Sequence, residues 1–340
     1  MKRWTTRPEG SNWGEFGDED QIGMMNTLTP KMRQAALAEA KEGIAFCLSL
    51  PLDYPGGSEL VGFRTPPKLI APIRTTGEVS FNYPASTHNP NAIDVISDES
   101  VELFSQYSTH WDGLAHWGQE FDVDGDGERE LVYYNGWRAG SDVEGPGHDH
   151  GPFAHKLSVA SLAETSVQGR GVMIDLRAVF GDEPKLVGHD DLMRALDRQK
   201  TTVEAGDFLC LYTGYADILL SMNKKPDAAK LKKSCAMLDG RDGKLLDWIT
   251  ETGIVAICAD NMGVEPVGYE AGPHTNRPHS IMPLHEHCLF KRGIFLGELW
   301  YMGELARWLA ANNRSRFLLT APPLNMPGAV GSPLTPVGTV

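Results

Sequence analysis

Two rhythms of apolar residues organise the chain. From residue 158 onward, short apolar runs at 171–176, 207–212, 253–258, 293–296 and 316–319 are bounded by turn residues, as expected of strands buried on both faces. Between them, 190–199, 244–251 and 304–311 carry helical spacing. Alternating strand and helix predicts an α/β fold whose sheet is partly parallel. Upstream the rhythm is looser. The first 28 residues are polar and Gly-rich with two tryptophans, Trp4 and Trp13, and predict an irregular arm (1–28) lying on the body. Thr29 and Pro30 then open a helix as N-cap and first helical residue. Gly43 closes it and a strand follows over 44–50. Residues 51–100 are rich in Pro, Gly and Thr and predict β structure with long loops. The last stretch, 321–340, holds five prolines and no periodicity, so it reads as a Pro-rich tail, strapped down or partly loose. No break in composition divides the rest, and 1–340 is expected to form one compact domain.

Charge and cysteine content narrow the function classes. There are 31 Lys and Arg against 45 Asp and Glu, a formal net charge of −14. Such a surface repels phosphate backbones and anionic headgroups, so neither nucleic acid nor a membrane is an expected partner. With 41% hydrophobic and 22% charged residues, the composition is that of a folded chain and not a disordered one. The five cysteines, Cys47, Cys210, Cys235, Cys258 and Cys288, include no CxxC pair of zinc or redox type. No signal-peptide core and no apolar run of membrane-spanning length is present. A cytoplasmic protein with reduced thiols is the expectation.

The densest chemistry lies at 106–117, Gln-Tyr-Ser-Thr-His-Trp-Asp-Gly-Leu-Ala-His-Trp. His110 and Asp112 are two apart and point to one side of an extended segment. His116 follows across a glycine-containing bend and can fold back toward the same point. Two imidazoles and a carboxylate converging suit zinc, manganese or iron; the same spacing also suits two structural histidines hydrogen-bonded in a loop. A second cluster favours the metal. His285 sits on a helix-like turn that leads through Gly293 into a strand ending near Glu298, and a carboxylate at the end of a buried strand needs a partner or an ion.

These residues resemble the signature of the cyclase family of metal-dependent hydrolases, which includes kynurenine formamidases and isatin hydrolases. Thr109, His110, Asp112 and His116 match the motif H-x-G-T-H-x-D-x-P-x-H in place. Gln106 stands where its first histidine would be, Ser108 replaces the glycine and Leu114 the proline. The glutamine version is closer to the trans-dienelactone hydrolases of the same superfamily. Further matches run in order through 14–30, Tyr134-Asn135-Gly136, 169–175, Thr213-Gly214 and 285–298. The resemblance implies a swivelling β/β/α fold, a homodimer or homotetramer, and one or two divalent ions, zinc or manganese. It implies His110 and Asp112 as ligands, with Gln106 at the first ligand position. His285 and Glu298 form the second pair, and His116 is the catalytic histidine. An amide oxygen is a poorer zinc ligand than imidazole and tilts the site toward a harder ion such as manganese.

The implied chemistry is hydrolysis of a small cyclic or aromatic substrate at a lactone, ester or amide bond, with His116 carrying the proton. Two alternatives stay open: an inactive metal-binding or regulatory member of the fold, and a lyase or cyclase acting on a polyketide-like substrate. Trp111, Trp117, Tyr134 and Trp137, with Asn135 beside them, flank the cluster and are candidates to wall the substrate, or ordinary core residues. Asp260 follows a strand end, where α/β ligand sites gather. The run Asp122, Asp124, Asp126, Gly127 mimics the start of a calcium loop, but its twelfth position is Tyr133, so a solvated acidic turn is the expectation. His148 to His150, His274 and His279 lie in Gly- or Pro-rich loops.

Overall fold

A computed structural model describes residues 3–147, 151–266 and 278–340. Nine strands form the main sheet: β1 Ala45–Cys47, β2 His110–Asp112, β3 Gln168–Asp175, β4 Phe208–Tyr212, β5 Ala256–Ala259, β6 Phe295–Glu298, β7 Arg316–Thr320, β8 Gly331–Pro333 and β9 Val337–Thr339. Their spatial order is β1-β9-β7-β3-β4-β5-β6-β2-β8. The central four, β3 to β6, run parallel, and every other pairing is antiparallel. The parallel strands fall on the first four apolar runs of the sequence, and β4, β5 and β6 are buried throughout. This mixed α/β architecture meets the expectation.

The helices follow from their spacing. α1 Pro30–Leu37 starts at Thr29, whose hydroxyl accepts from Met32 N. It stops six residues before Gly43, and of its residues only Ala36 is buried. α2 His189–Gln199 buries Leu192, Ala195 and Leu196 along one stripe, with Asp190 and Asp191 in the first turn and Arg198 in the last, the charge order the helix dipole favours. α3 Gly243–Thr252 is capped by Asp242, and α4 Gly303–Ala311 buries Leu305, Ala306 and Leu309. α1 and α2 both pack on β3.

Both termini are more integrated than the sequence pattern implied. The tail supplies β8 and β9, each only three residues long, so no periodicity could reveal them. In the arm, Trp4 and Trp13 are buried in the main core, and Trp13 Nε1 donates to the Phe290 carbonyl at 2.8 Å. The arm crosses the chain again at Gly23 and Gly293, where a Cβ on Gly23 would lie 2.2 Å from the Gly293 carbonyl oxygen. Both residues have positive φ, 51° and 62°, so glycine is required twice over.

Residues 63–104 form two short antiparallel ribbons outside the main sheet, Lys68–Ile70 with Ser100–Glu102 and Tyr83–Pro84 with Val95–Ile96. They expose Phe63, Leu69, Ile73, Ile93 and Val95. Among the described residues, no helix is long and apolar enough to cross a membrane.

Candidate active site

The register of three strands assembles the site. β2 lies antiparallel to β6, with His110 opposite Glu298 and Asp112 opposite Leu296. Because side chains alternate along a strand, His110 and Asp112 share one face and Trp111 takes the other. The Glu298 carboxylate closes on the same point from the end of β6. His110 Nε2 is 3.4 Å from Asp112 Oδ1 and 3.7 Å from Glu298 Oε2. One ligand atom from each of His110, Asp112 and Glu298 falls within 4.8 Å of the other two. All three residues are buried.

His285 joins from the far side. It ends the short helical turn Pro283–His285, which runs into the π-helical segment Glu286–Arg292, a wide-turn geometry that recurs at functional sites. Its Nε2 is 3.3 Å from Glu298 Oε1 and 3.9 Å from Asp112 Oδ2. His116 closes the ring with Nε2 at 3.5 Å from Asp112 Oδ1, and its side chain is 21% exposed, the one imidazole of the three that reaches solvent.

Outer contacts fix which nitrogen faces the cluster. The Nδ1 of His110 lies 2.7 Å from the Ser108 carbonyl. The Nδ1 of His285 lies 3.0 Å from Glu265 Oε1. Each neutral ring must put its proton on Nδ1 to make these bonds, which leaves Nε2 as a lone pair aimed inward. Glu265 is fully buried and also accepts from the backbone N–H of Leu284 and of His285, at 3.0 and 2.8 Å. Glu265 is not among the candidate site residues read from the sequence. The carboxylate–histidine pair spans twenty positions across a loop, and no local spacing announces it.

Electrostatics agree with a cation in the centre. Burial disfavours charged imidazole, yet the Asp112 and Glu298 carboxylates overcome this at His110 and raise its pKa. At His285, burial is likewise outweighed by Glu265, Glu298 and Asp112, and the pKa is pushed up to about 10. The Asp112 carboxyl is held below its usual range: burial would raise it, but the surrounding histidines dominate. The His116 pKa is lowered, chiefly by burial. So the ion-free cluster draws protons onto His110 and His285 to offset two carboxylates, a role a divalent ion would take over. The sharpest sign is Asp112 Oδ1, which is buried and accepts no hydrogen bond, with only the imidazole nitrogens of His110 and His116 near it at 3.4 and 3.5 Å, an arrangement a divalent cation would satisfy.

Gln106 is placed beside His116. Its amide nitrogen lies 3.4 Å from His116 Nδ1, while the Nε2 of that ring faces Asp112.

Most of the proposed substrate wall is committed elsewhere. Trp111 is fully buried against Trp300, ring centroids 5.0 Å apart, and its Nε1 donates to the Ala321 carbonyl. Tyr134 donates to Asp20, and Asn135 clasps the arm, accepting from Gly14 N and donating to the carbonyls of Gly17, Asp18 and Asp20. Trp137 Nε1 also donates to the Asp20 carbonyl. Asp260 is buried, accepting from Thr213 N, Thr213 Oγ1 and Gly214 N, and serves a turn. Only Trp117 reaches the site, its ring centroid 5.2 Å from that of His285. It also lines a cleft of about 830 Å³ together with Phe121, Arg129, Ile281 and Pro283.

The acidic run at 122–127 closes on itself. Asp122 accepts from the N–H groups of Gly125, Asp126 and Gly127, while Arg138 pairs with Asp124. His148, Asp149, His150 and His274 lie outside the described residues.

A mixed α/β sheet whose strand ends gather histidines and carboxylates around an unpartnered buried oxygen defines a candidate metal centre. The chain belongs to the cyclase family: the family described as "Putative cyclase" matches residues 48–266. A crystal structure described as a novel cyclase is 29% identical, covers 97% of both chains and superposes with a TM-score of 0.74. Isatin hydrolase A from Labrenzia aggregata shares the fold at 14% identity, over 91% of this chain and 98% of that one, with a TM-score of 0.55. Isatin hydrolase A from Ralstonia solanacearum does so at 17% identity, over 92% and 97%, with a TM-score of 0.54. No curated protein sequence matches the chain.

Proposed function

We propose that the protein is a metal-dependent hydrolase that opens a lactone, ester or amide bond in a small cyclic or aromatic substrate. The observation that carries this reading is the convergence of His110, Asp112 and Glu298 around the unpartnered Oδ1 of Asp112. His110 Nε2, an Asp112 oxygen and a Glu298 oxygen would hold one divalent ion, zinc or manganese, with His285 Nε2 against the two carboxylates. Such an ion lowers the pKa of a water toward neutrality and polarises a carbonyl.

The chain's own groups supply the rest. His116 stands at the rim, close enough to Asp112 to be oriented by it and open enough to meet substrate. Its lowered pKa keeps the imidazole neutral near pH 7, ready to take a proton and return it to the leaving group. Trp117 presents an aromatic edge between His285 and the cleft, suited to a flat apolar substrate. The fold neighbours agree in kind, since they include an isatin hydrolase bound to a product analogue and another bound to benzyl benzoate. Assembly into a homodimer or homotetramer belongs to the same proposal. The exposed apolar residues of the two ribbons are surface that assembly would cover, and light scattering in solution reads the mass.

The test is a panel of lactones, N-formyl arylamines and cyclic imides assayed with added manganese or zinc in water enriched in heavy oxygen. Metal-dependent turnover with heavy oxygen in the product carboxylate supports hydrolysis. Turnover without the label indicates a lyase or cyclase, and no turnover with metal bound indicates an inactive member of the fold.

A further inference from the structure

The Gln106 side chain occupies a built seat. Gly331, in β8, is the register partner of Asp112 across β2. A Cβ on Gly331 would fall 2.3 Å from Gln106 Nε2 and 2.9 Å from its Cδ. The amide therefore lies on the bare face of a glycine, in space that any larger residue would fill. Gly331 has no positive φ, so what a methyl there meets first is the end of the Gln106 side chain, which would have to move. The backbone around Gln106 is tied down as well. Arg64 Nη1 donates to the Gln106 carbonyl at 2.9 Å, Tyr107 Oη to the Gly57 carbonyl at 2.8 Å, and Ser108 Oγ to the Pro51 carbonyl at 3.1 Å.

From this seat the amide reaches His116 Nδ1 at 3.4 Å, while Nε2 on the opposite side of the ring faces Asp112. An imidazole gripped at both nitrogens has its plane fixed. An amide suits the outer grip, because it can donate to a bare Nδ1 or accept from a protonated one by turning about its last bond. A carboxamide ligand brings its oxygen to the ion, whereas the hydrogen bond this side chain makes among the described residues is to the ring.

We propose that Gln106 is a positioning residue for His116, seated on Gly331, and that it is not a ligand of the ion. This rests on the hydrolase reading for its effect on turnover, but not for its effect on the His116 ring or on metal binding.

The experiment compares Gln106→Leu, which keeps the bulk and removes the hydrogen bond, Gln106→Glu, which keeps an oxygen at the seat, and Gly331→Ala, which displaces the amide without altering Gln106. Three quantities are measured on each full-length protein: manganese and zinc affinity, kcat and KM separately, and the ring nitrogen signals of His116, assigned by their loss in His116→Ala. Gln106→Leu and Gly331→Ala are expected to bind metal within about twofold of the parent and to keep KM within about twofold. Their kcat should fall about 10- to 100-fold, part of the general acid–base contribution. Their His116 nitrogen signals should shift while those of His110 and His285 stay, and Gln106→Glu should retain hydrogen-bonded His116 signals. A tenfold or greater loss of metal affinity in Gln106→Leu overturns the proposal, because it makes Gln106 a ligand. Unchanged His116 signals in both Gln106→Leu and Gly331→Ala overturn it too. If the parent protein turns over no substrate, the hydrolase reading fails, while the metal and ring-signal measurements still decide the role of Gln106.

Discussion

Replacing Glu265 by Gln tests how the second layer of the site supports the first. Three N–H groups converge on this buried carboxylate: Leu284 N on Oε2, and His285 N and His285 Nδ1 on Oε1. Glutamine offers one acceptor oxygen where glutamate offers two. With the oxygen kept toward His285, the amide NH₂ confronts the Leu284 N–H, donor against donor. One buried donor left unsatisfied costs about 1–3 kcal/mol. The lost charge also weakens the grip on His285 Nδ1, so the Nε2 facing the ion becomes a poorer donor. Changes of this outer kind lower metal affinity about 10- to 100-fold, or about 1.4–2.7 kcal/mol of binding. Urea denaturation of the metal-free protein reads the first quantity, and competition with a chromophoric chelator reads the second. Gly240→Ala makes a second probe, because its Cβ would lie 2.4 Å from Glu265 Oε2 and should push both quantities the same way. If Glu265→Gln loses stability but holds its ion within twofold, Glu265 serves only the fold and the inferred carboxylate–histidine–ion relay is wrong.

Two further outcomes concern the fold. Arg170→Leu should destabilise by about 3 kcal/mol, since it strips a two-point partner at 2.7 and 3.1 Å from Asp207, whose side chain is 2% exposed, and breaking such a pair leaves an uncompensated buried charge; an unchanged urea midpoint would refute this. His287, whose Nε2 meets Thr250 Oγ1 at 2.9 Å, has its pKa pushed down to about 4, first by burial and then by Lys291 and Arg292. The unfolded chain takes up this proton near pH 6.5 and the folded chain only near pH 4. This contribution to stability is therefore intact above about pH 6.5 and is lost as pH falls toward 4, by up to about 3 kcal/mol. His287→Gln should flatten the stability profile over that window relative to the parent, and parallel profiles would refute the assignment.

The parallel heart of the sheet was legible because β3 to β6 are apolar runs long enough to stand out, and three of the helices because their buried positions repeat at helical spacing. Strand ends lay within three residues of expectation, but α1 stopped at Leu37, six residues before Gly43. The two tail strands escaped because three residues cannot show a period and prolines lie in or next to them. At the site, His110 and Asp112 could be paired from their spacing alone, and the same alternation places Trp111 on the opposite face, where it packs against Trp300. That alternation already argued against Trp111 as a substrate wall. Asn135 and Asp260 looked functional for a different reason. A buried polar residue that clasps a loop and one that binds a ligand carry the same letters, and only their hydrogen-bond partners separate them. The roles of Glu265 and Gln106 depend on contacts across the fold, Glu265 with the turn at His285 and Gln106 with Gly331 in β8, and not on any local spacing.

Metal content tests the central claim most directly. The purified protein, reconstituted with manganese or zinc, dialysed and analysed by inductively coupled plasma mass spectrometry, should hold about one divalent ion per chain, and Asp112→Ala should lose it while remaining folded by circular dichroism. A parent protein that retains no ion, or an Asp112→Ala variant that keeps a full complement, would contradict the account.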